Sequence, residues 1–208
     1  MKAARQQGLL PAVREGSVAC GASPTFRTLG DVSVPSGPKL ALFCSVKCPG
    51  KLILDTYDLC QHLRELGVIV VSGFHSPMEQ ECLRILLRSP HPVIWCLARG
   101  MVKRVPAAPV DCSAAVSEGR LVVATPFPDT VRRVTAQTAT VRNRVVADMA
   151  AAVVVAHAAP GSKMEALCGE FLAAGKPLYM FDAAANAVLI QAGARAIESG
   201  TDWKRVLA

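Results

Sequence analysis

The sequence VIVVSGFHSPMEQECL, residues 68–83, joins a short apolar run to the start of a helix. The run Val68–Ser72 has the length and composition of a buried β-strand. Ser76 then has the position of a helix N-cap, Pro77 that of the first helical residue and Glu79 that of the third, which is the pattern of a capping box. A buried strand that leads directly into a helix is typical of a parallel sheet covered by helices.

The same alternation recurs along the chain from residue 40 onward. Short runs rich in Val, Ile and Leu are separated by longer amphipathic stretches, and Ser162 with Glu165 repeats the helix-start pattern. We therefore predict the α/β class, with a Rossmann-like, open, mostly parallel sheet of about six or seven strands and helices on both faces. The candidate strands are Leu40–Cys44, Val68–Ser72, Val93–Leu97, Leu121–Ala124, Val153–Ala156 and Leu178–Phe181.

The two ends of the chain differ in their periodicity. Residues 1–38 show neither a strand nor a helix period, so we predict an irregular N-terminal arm there and a Rossmann-like domain over residues 39–208. The prolines between Arg99 and Gly119 predict a loop with little regular structure. Near the C-terminus, the pattern predicts a helix that ends at Gly193 and a short terminal piece around Trp203.

The 208 residues are 51% hydrophobic and 19% charged, with a formal net charge of +7. This composition supplies the core of a globular domain and excludes a chain that is disordered over most of its length. Asp148 and His157 interrupt the longest apolar stretch, so we expect no membrane span, and no run near the N-terminus resembles a secretory signal. We expect a cytoplasmic protein whose eight cysteines are reduced thiols, with neither a metal nor a cofactor.

Three of the predicted strands precede turns that combine Gly or Pro with Ser and a cationic or titratable side chain. These turns span residues 45–51, 72–76 and 157–163. Because the carboxyl ends of parallel strands share one edge of the sheet, the turns together predict a pocket for a phosphate or a nucleotide. The alternative is that these residues only shape the turns and that the lysines are solvated. The candidate residues are Ser45, Lys47, Ser72, Gly73, His75, Gly161, Ser162 and Lys163.

The segment Arg142-Asn143-Arg144 adds positive charge shortly before the fifth predicted strand. If Thr140 caps the helix, both arginines fall in its first turn, where each opposes the helix dipole by about 0.3–1 kcal/mol. A carboxylate or a bound phosphate would offset that cost, and Asn143 is expected to order the turn. The alternative is a helix that runs unbroken from Thr130, with the arginines on an ordinary exposed face.

Several short motifs follow one another in an order that is characteristic of one family. They are Cys44-Ser45-Val46-Lys47, Val71-Ser72-Gly73, Arg142-Asn143-Arg144, Pro160-Gly161-Ser162, Gly175-Lys176-Pro177 and Ala192-Gly193-Ala194. In this order they resemble the DprA/Smf family of DNA-processing proteins, within the SLOG superfamily. The resemblance covers Leu40 to Ile197, and the Arg-Asn-Arg motif is its most specific part.

The resemblance implies a homodimer that binds single-stranded DNA over a basic pocket and loads a RecA-type recombinase during transformation or DNA recombination. A binding protein is then expected rather than an enzyme. Two departures concern the ligand: Val46 takes the slot of the family's usual arginine, with Lys47 as its substitute, and the residues after Gly73 differ from the family's usual run. The family's flanking domains are not found either, which indicates a divergent, stand-alone member. Because aromatic residues make up only 5% of the chain, backbone contacts should exceed base stacking, for which Phe74 and Phe127 are the candidates.

Two other functions stay open from the same residues. One is the sensing of a small nucleotide without turnover. The other is hydrolysis of nucleoside monophosphates, as in the lysine decarboxylase-like phosphoribohydrolases of the wider superfamily. In that case Arg142 would clamp the phosphate and Glu165 would stabilise the oxocarbenium-like centre.

Overall fold

The computed structural model describes residues 13–16, 26–29, 37–101 and 112–208. Within these ranges, nine strands form one sheet. They are β1 (Val13–Gly16), β2 (Phe26–Leu29), β3 (Lys39–Phe43), β4 (Ile69–Ser72), β5 (Val93–Cys96), β6 (Leu121–Thr125), β7 (Ala152–Val155), β8 (Leu178–Phe181) and β9 (Arg195–Ile197). The helices are α1 (Gly50–Leu66), α2 (Pro77–Leu86), α3 (Cys112–Ser117), α4 (Ala136–Met149), α5 (Lys163–Ala173), α6 (Ala187–Gln191) and α7 (Trp203–Leu207), with a 3-10 turn at Ala184–Asn186.

The sheet is mostly parallel and has one topological switch point. Its strand order is β1-β2-β6-β5-β4-β3-β7-β8-β9. The strands from β6 to β9 in this order are parallel, whereas β1 pairs with β2 and β2 with β6 in antiparallel fashion. The chain runs outward from β3 to β6 and then returns to the other side of β3 as β7. This confirms the predicted Rossmann-like α/β fold, in which ligands bind at the carboxyl ends of the strands near the switch point.

Side chains of each central strand alternate between two apolar layers. In β3, Leu40 and Leu42 pack against the face covered by α1, α2, α3 and α7, whereas Ala41 and Phe43 pack against the face covered by α4, α5 and α6. This is the period of two that a strand imposes on its side chains. Because both faces are covered, the strands are apolar throughout, which explains the continuous Val, Ile and Leu runs of the sequence.

All six predicted strands are present, with bounds that differ by at most one residue from the predicted ones. Three further strands, β1, β2 and β9, were not predicted, because each contains charged residues in place of a continuous apolar run. Two of them lie in the segment predicted to be irregular, so that description is wrong for residues 13–16 and 26–29. Phe26 and Leu29 are buried against the sheet, and pairing with β6 stabilises β2. The division into an arm and a domain stays a prediction.

Two helices start at the predicted signals, whereas one predicted loop contains a helix. Ser76 caps α2 and forms a reciprocal capping box with Glu79, and Ser162 caps α5. The predicted loop between Arg99 and Gly119 contains the short helix α3, whose Ala115 and Val116 are buried, while residues 102–111 lie outside the described ranges. Burial of one apolar face stabilises a helix that is too short to be recognised by its period.

Candidate functional site

Helix α4 starts earlier than the sequence predicted. Thr135 is its N-cap and forms a capping box with Thr138, so Arg142 and Arg144 lie about two turns inside the helix. The predicted first-turn position, with its opposition to the helix dipole, is therefore wrong. The alternative of one uniformly exposed face is also wrong, because Arg142 is buried and Arg144 is exposed.

Arg142 lies against the carboxyl ends of β4 and β5. Its Nη1 donates a hydrogen bond of 3.0 Å to the carbonyl oxygen of Cys96, and its Nε donates one of 2.7 Å to the Oδ1 atom of Asn143. The guanidinium covers Gly73 so closely that a Cβ atom there would lie 1.5 Å from Nη1. The side chain is only 6% exposed. Asn143 thus orients Arg142, and the absence of a side chain at residue 73 makes room for it.

No carboxylate pairs with Arg142 among the residues that the structure describes. The nearby Cys96 does not neutralise it either, since burial raises the pKa of this thiol to about 12 although Arg142 acts to lower it. A thiol with such a pKa is uncharged near neutral pH. Arg142 is therefore a largely buried cation without a protein counter-charge in the described part of the chain.

Arg142 lines a cavity of about 190 Å³ at this edge of the sheet. Gly73, Phe74 and His75 form one wall, and the segment that follows β5 forms another. The indole Nε1 of Trp95 donates to the carbonyl of Gly73 at 2.8 Å, which fixes the two strand ends to each other. The other lining residues are Gln80, Leu97, Ala98, Arg99, Val134 and Ala139.

Further arginines surround this cavity. Arg99 follows β5 and lines it directly, and the exposed Arg132 and Arg133 lie in the loop that leads to α4, next to the lining residue Val134. None of these three side chains forms an ion pair within the described ranges. The cavity therefore opens on a surface with an excess of positive charge.

A second group of predicted residues meets at the switch point between β3 and β7. The N–H of Ser45 donates to the carbonyl of His157 at 2.9 Å, and the Oγ of Ser45 accepts the N–H of Ala159 at 3.0 Å. The hydroxyls of Ser45 and Ser162 lie 3.5 Å apart, and Gly161 lies in the same turn, directly before Ser162. Two of the three predicted turns thus converge here. Lys47 and Lys163 are exposed on their flanks.

Helix α1 starts beside this group without a side-chain cap. Its N-cap residue is Pro49, which offers no side-chain acceptor, and no acidic residue lies in its first turn. The first N–H groups of α1 are therefore available at the switch point, together with the positive end of its dipole.

The buried side chain of Glu79 links the turn beside the Arg142 cavity to the end of β3 at the switch point. Its carboxylate is 5% exposed and accepts three backbone N–H groups, from Cys44 at 3.2 Å, His75 at 2.8 Å and Ser76 at 3.0 Å. The sequence identified Glu79 only as a capping-box residue. Its bond to Cys44 could not be predicted, because the two residues are far apart in the sequence and meet only when β3 and β4 pair.

Several predicted residues do not contribute free polar groups to a ligand site. Ser72 is fully buried, and its hydroxyl donates to the carbonyl of Leu42 at 2.7 Å. Arg144 points away toward α5, where its Nε and Nη2 bind both carboxylate oxygens of Glu170 at 2.8 Å each. Phe74 is 1% exposed and belongs to the core, so it is not the stacking surface considered above. Phe127 is half-buried.

Glu165, the alternative catalytic residue, is held at the β7 turn. Its Oε2 accepts the N–H of Gly161 at 2.7 Å, and its own N–H donates to the Oγ of Ser162. Within the described residues it forms no ion pair with Arg142. The two groups required by the hydrolase hypothesis are therefore held by different strand ends.

Arg99, Trp95 and Gln80 line the cavity although the sequence analysis did not select them. Arg99 follows the third predicted strand. Because ligands bind at the carboxyl ends of parallel strands, a search of every strand end would have selected it. Neither Trp95, within a strand, nor Gln80, within a helix, carries a local signal of this kind.

Two classes of site are not found within the described residues. No group of three or more His, Cys, Asp or Glu side chains is arranged to hold a metal ion there. Among the helices of these residues, none is both long and apolar enough to span a bilayer.

The sequence matches a family model described as DNA recombination-mediator protein A over residues 21–206. No curated protein matches it. Two similar solved structures are DNA processing protein A from Streptococcus pneumoniae and from Helicobacter pylori, each with a TM-score of 0.72, at 19% and 16% identity. They align with 85% and 89% of this chain, but with 64% and 90% of their own lengths. The Streptococcus match thus covers just under two thirds of that protein. The Helicobacter structure is described in terms of its single-stranded DNA binding mode.

A more distant likeness is to the molybdenum cofactor binding protein of Rippkaea orientalis, with a TM-score of 0.54 and 12% identity. It covers 78% of this chain and 90% of that protein. At such identities a structural match demonstrates a shared fold and no more.

Proposed function

Because the chain belongs to the DNA recombination-mediator protein A family, we propose that it binds single-stranded DNA through the phosphate backbone. The binding surface comprises the Arg142 cavity and the arginines around it, Arg99, Arg132 and Arg133. Ser45, Lys47, Gly161, Ser162 and Lys163 extend this surface toward the switch point. His75 lies between the two parts.

The single observation that supports this proposal most is the environment of Arg142. Burial of a cation costs free energy unless a counter-charge and hydrogen bonds offset it. Two of its nitrogens have acceptors, at the Cys96 carbonyl and at Asn143, but both acceptors are uncharged. A phosphate oxygen in the cavity would supply the missing charge in the geometry that a guanidinium binds best.

The surrounding charges support a polyanion rather than a single small anion. Arginines that neutralise several phosphates release counterions from the nucleic acid, and this gives affinity without base recognition. Exposed Arg132 and Arg133 lie outside the cavity, where they would contact neighbouring phosphates of a strand whose central phosphate binds Arg142. The uncapped start of α1 offers one more phosphate position on the same edge.

The test is a salt titration of affinity for a fluorescently labelled, single-stranded oligothymidine. We expect log affinity to fall linearly with log salt, with a slope of about 0.7 per neutralised phosphate. Arg142→Ala should weaken binding about tenfold or more at fixed salt and should reduce the slope by about one phosphate. Arg144→Ala is the matched control, because it removes an arginine from the same helix whose charge Glu170 already neutralises.

Equal losses for the two variants would contradict the assignment of Arg142, since a general reduction in net charge would then explain both. Salt-independent binding by the unmodified protein, or none at all, would reject DNA binding as the function.

Small-nucleotide sensing and phosphoribohydrolysis have weaker support. Glu79 already fills the N–H groups at the start of α2, and Glu165 is bonded at another turn than the one beside Arg142. Incubation with nucleoside monophosphates tests hydrolysis directly. Release of free base that is abolished by Glu165→Gln would establish that activity instead.

Family membership also underlies two proposals about assembly. We propose a homodimer, which light scattering in solution would show as twice the 21.9 kDa chain mass. We further propose that the DNA-bound protein assists a RecA-type recombinase. Faster filament formation on single strands with the unmodified protein than with Arg142→Ala would support this role, and equal rates would count against it.

A further inference from the structure

We propose that the carboxylate of Glu79 is a built-in substitute for a ligand anion, and that it keeps external phosphates out of the crevice between the ends of β3 and β4. Glu79 thereby prevents small phosphate-bearing molecules from binding at this point of the sheet edge. The assignment rests on the contacts of Glu79 and not on DNA binding.

The N–H groups around Glu79 come from two separate segments and converge on one carboxylate. Its Oε1 accepts the N–H of Cys44 after β3, and its Oε2 accepts those of His75 and Ser76 before α2. The positive end of the α2 dipole points at the same place. Converging backbone N–H groups at a helix start are the usual means by which proteins bind phosphate. Here the fold supplies such a cradle and the chain fills it with its own anion.

Glu79 differs in this respect from the other glutamate at a helix start. The carboxylate of Glu165 at the start of α5 accepts one N–H, that of Gly161, and is half-buried. Glu79 accepts three N–H groups and is 5% exposed. An ordinary capping box requires only the N–H of the N-cap residue, so the bonds to Cys44 and His75 exceed what capping explains.

The cradle also fixes the wall of the neighbouring cavity. Phe74 has a φ of +41°, the only positive φ of a non-glycine residue in the described ranges, and it is held between Gly73 and the bonded N–H of His75. Such a backbone conformation persists only where the surroundings impose it. Glu79 therefore has two effects: it closes one anion site and maintains the turn that borders the Arg142 cavity.

The test is chemical rescue of the Glu79→Ala variant. This substitution removes a fragment the size of acetate and leaves three backbone N–H groups, two of them buried, without an acceptor. We expect a lower melting temperature in sodium chloride, and a rise of at least about 3 °C when sodium acetate or inorganic phosphate of equal ionic strength replaces the chloride. The unmodified protein should show only the general stabilisation that these salts give to folded proteins, and the rise in Glu79→Ala is counted beyond that baseline. Glu165→Ala, the matched control that lacks a glutamate at another helix start, should stay at the same baseline.

The named outcomes separate the parts of the proposal. No difference between chloride and acetate would overturn the anion cradle, and rescue by acetate without rescue by phosphate would overturn the claim that phosphate is excluded. If Glu79→Ala does not fold in chloride, the yield of soluble protein after refolding is compared between the same salts. A higher yield in acetate and phosphate then supports the proposal, and equal yields overturn it.

Discussion

Arg142 and Arg144 lie two residues apart on one helix, yet they meet opposite surroundings. Arg142 is buried against uncharged acceptors at the end of the sheet, whereas Arg144 is exposed and pairs with both oxygens of Glu170. Residues two apart on an α-helix point about 200° away from each other, so the two side chains could not share a pocket. The helical period thus places the two arginines of the Arg-Asn-Arg motif in different surroundings.

The comparison indicates which arginine is available to a ligand. Arg144 already forms an ion pair with the carboxylate of Glu170, so its guanidinium does not require an external anion. Arg142 has two hydrogen bonds but no charge partner among the described residues, and it borders a cavity. Changes that make the two arginines more alike, or that displace one of them, therefore test the proposed site.

The largest effect is expected from Gly73→Ala. A Cβ atom at this position would lie 1.5 Å from Nη1 of Arg142, so the guanidinium must leave its position over residue 73. We expect the free energy of unfolding to fall by about 1–3 kcal/mol, as for overpacked cores, and DNA affinity to fall about as much as in Arg142→Ala. Chemical denaturation and fluorescence anisotropy measure these two quantities.

Gly169→Ala is the control for that experiment. Gly169 lies within α5 with no atom near the position of an added Cβ, so this substitution should be neutral or should stabilise the protein by up to about 1 kcal/mol. Full DNA affinity in Gly73→Ala would show that Arg142 does not act from its observed position.

A smaller effect is expected from Asn143→Asp, which gives Arg142 the kind of partner that Arg144 has. The carboxylate would accept the hydrogen bond from Nε and also neutralise the guanidinium. We expect about three- to tenfold weaker DNA binding in a protein at least as stable as the original, because the new carboxylate supplies a counter-charge to a cation that is already buried. Anisotropy and thermal melting report the two changes.

Asn143→Ala provides the contrast, since it removes the hydrogen bond without adding a charge. It should lose less affinity than Asn143→Asp. The reverse order would mean that orientation of Arg142, and not its free charge, limits binding.

The fold could be predicted from the sequence because its strands are doubly covered. Runs such as Val68–Ser72 and Val153–Ala156 are largely apolar and are followed by distinct helix signals, and the structure reproduces both strands within one residue. The short strands β1, β2 and β9 could not be predicted, since each contains charged residues in place of a continuous apolar run, and β2 pairs with the distant β6. Local patterns contain no information on such pairing.

The candidate site could be predicted only in part. Strand-end reasoning selected the turns at Ser45 and Ser162, whose hydroxyls lie close to each other in the structure, and the turn at Gly73, which Arg142 covers. It placed the start of α4 wrongly, because Thr135, Thr138 and Thr140 are all acceptable caps by residue type. That error of a few residues changed the predicted environment of both arginines, since a helix position determines the direction of a side chain.

The smallest effect is expected from Glu170→Gln. This substitution removes the carboxylate partner of Arg144 and so leaves it without a counter-charge in the described ranges, as Arg142 is. Because Arg144 remains exposed and directed toward α5, we expect at most about a twofold gain in DNA affinity, with an increase in salt slope of less than about 0.7. A gain in DNA affinity as large as the loss of affinity in Arg142→Ala would contradict the proposal that only Arg142 is placed to bind the DNA.

The ion pair between Arg144 and Glu170 should also make the stability of the protein depend on pH. The hydrogen bonds from Arg144 hold the pKa of Glu170 below its ordinary value. A carboxylate with a depressed pKa in the folded state stabilises the protein above its unfolded-state pKa, and this contribution is lost as the pH falls through the folded-state pKa. The unmodified protein should therefore melt slightly above Glu170→Gln at pH 7, and the difference should vanish in acid. A difference that persists below the folded-state pKa of Glu170 would mean that the ion pair is not its source.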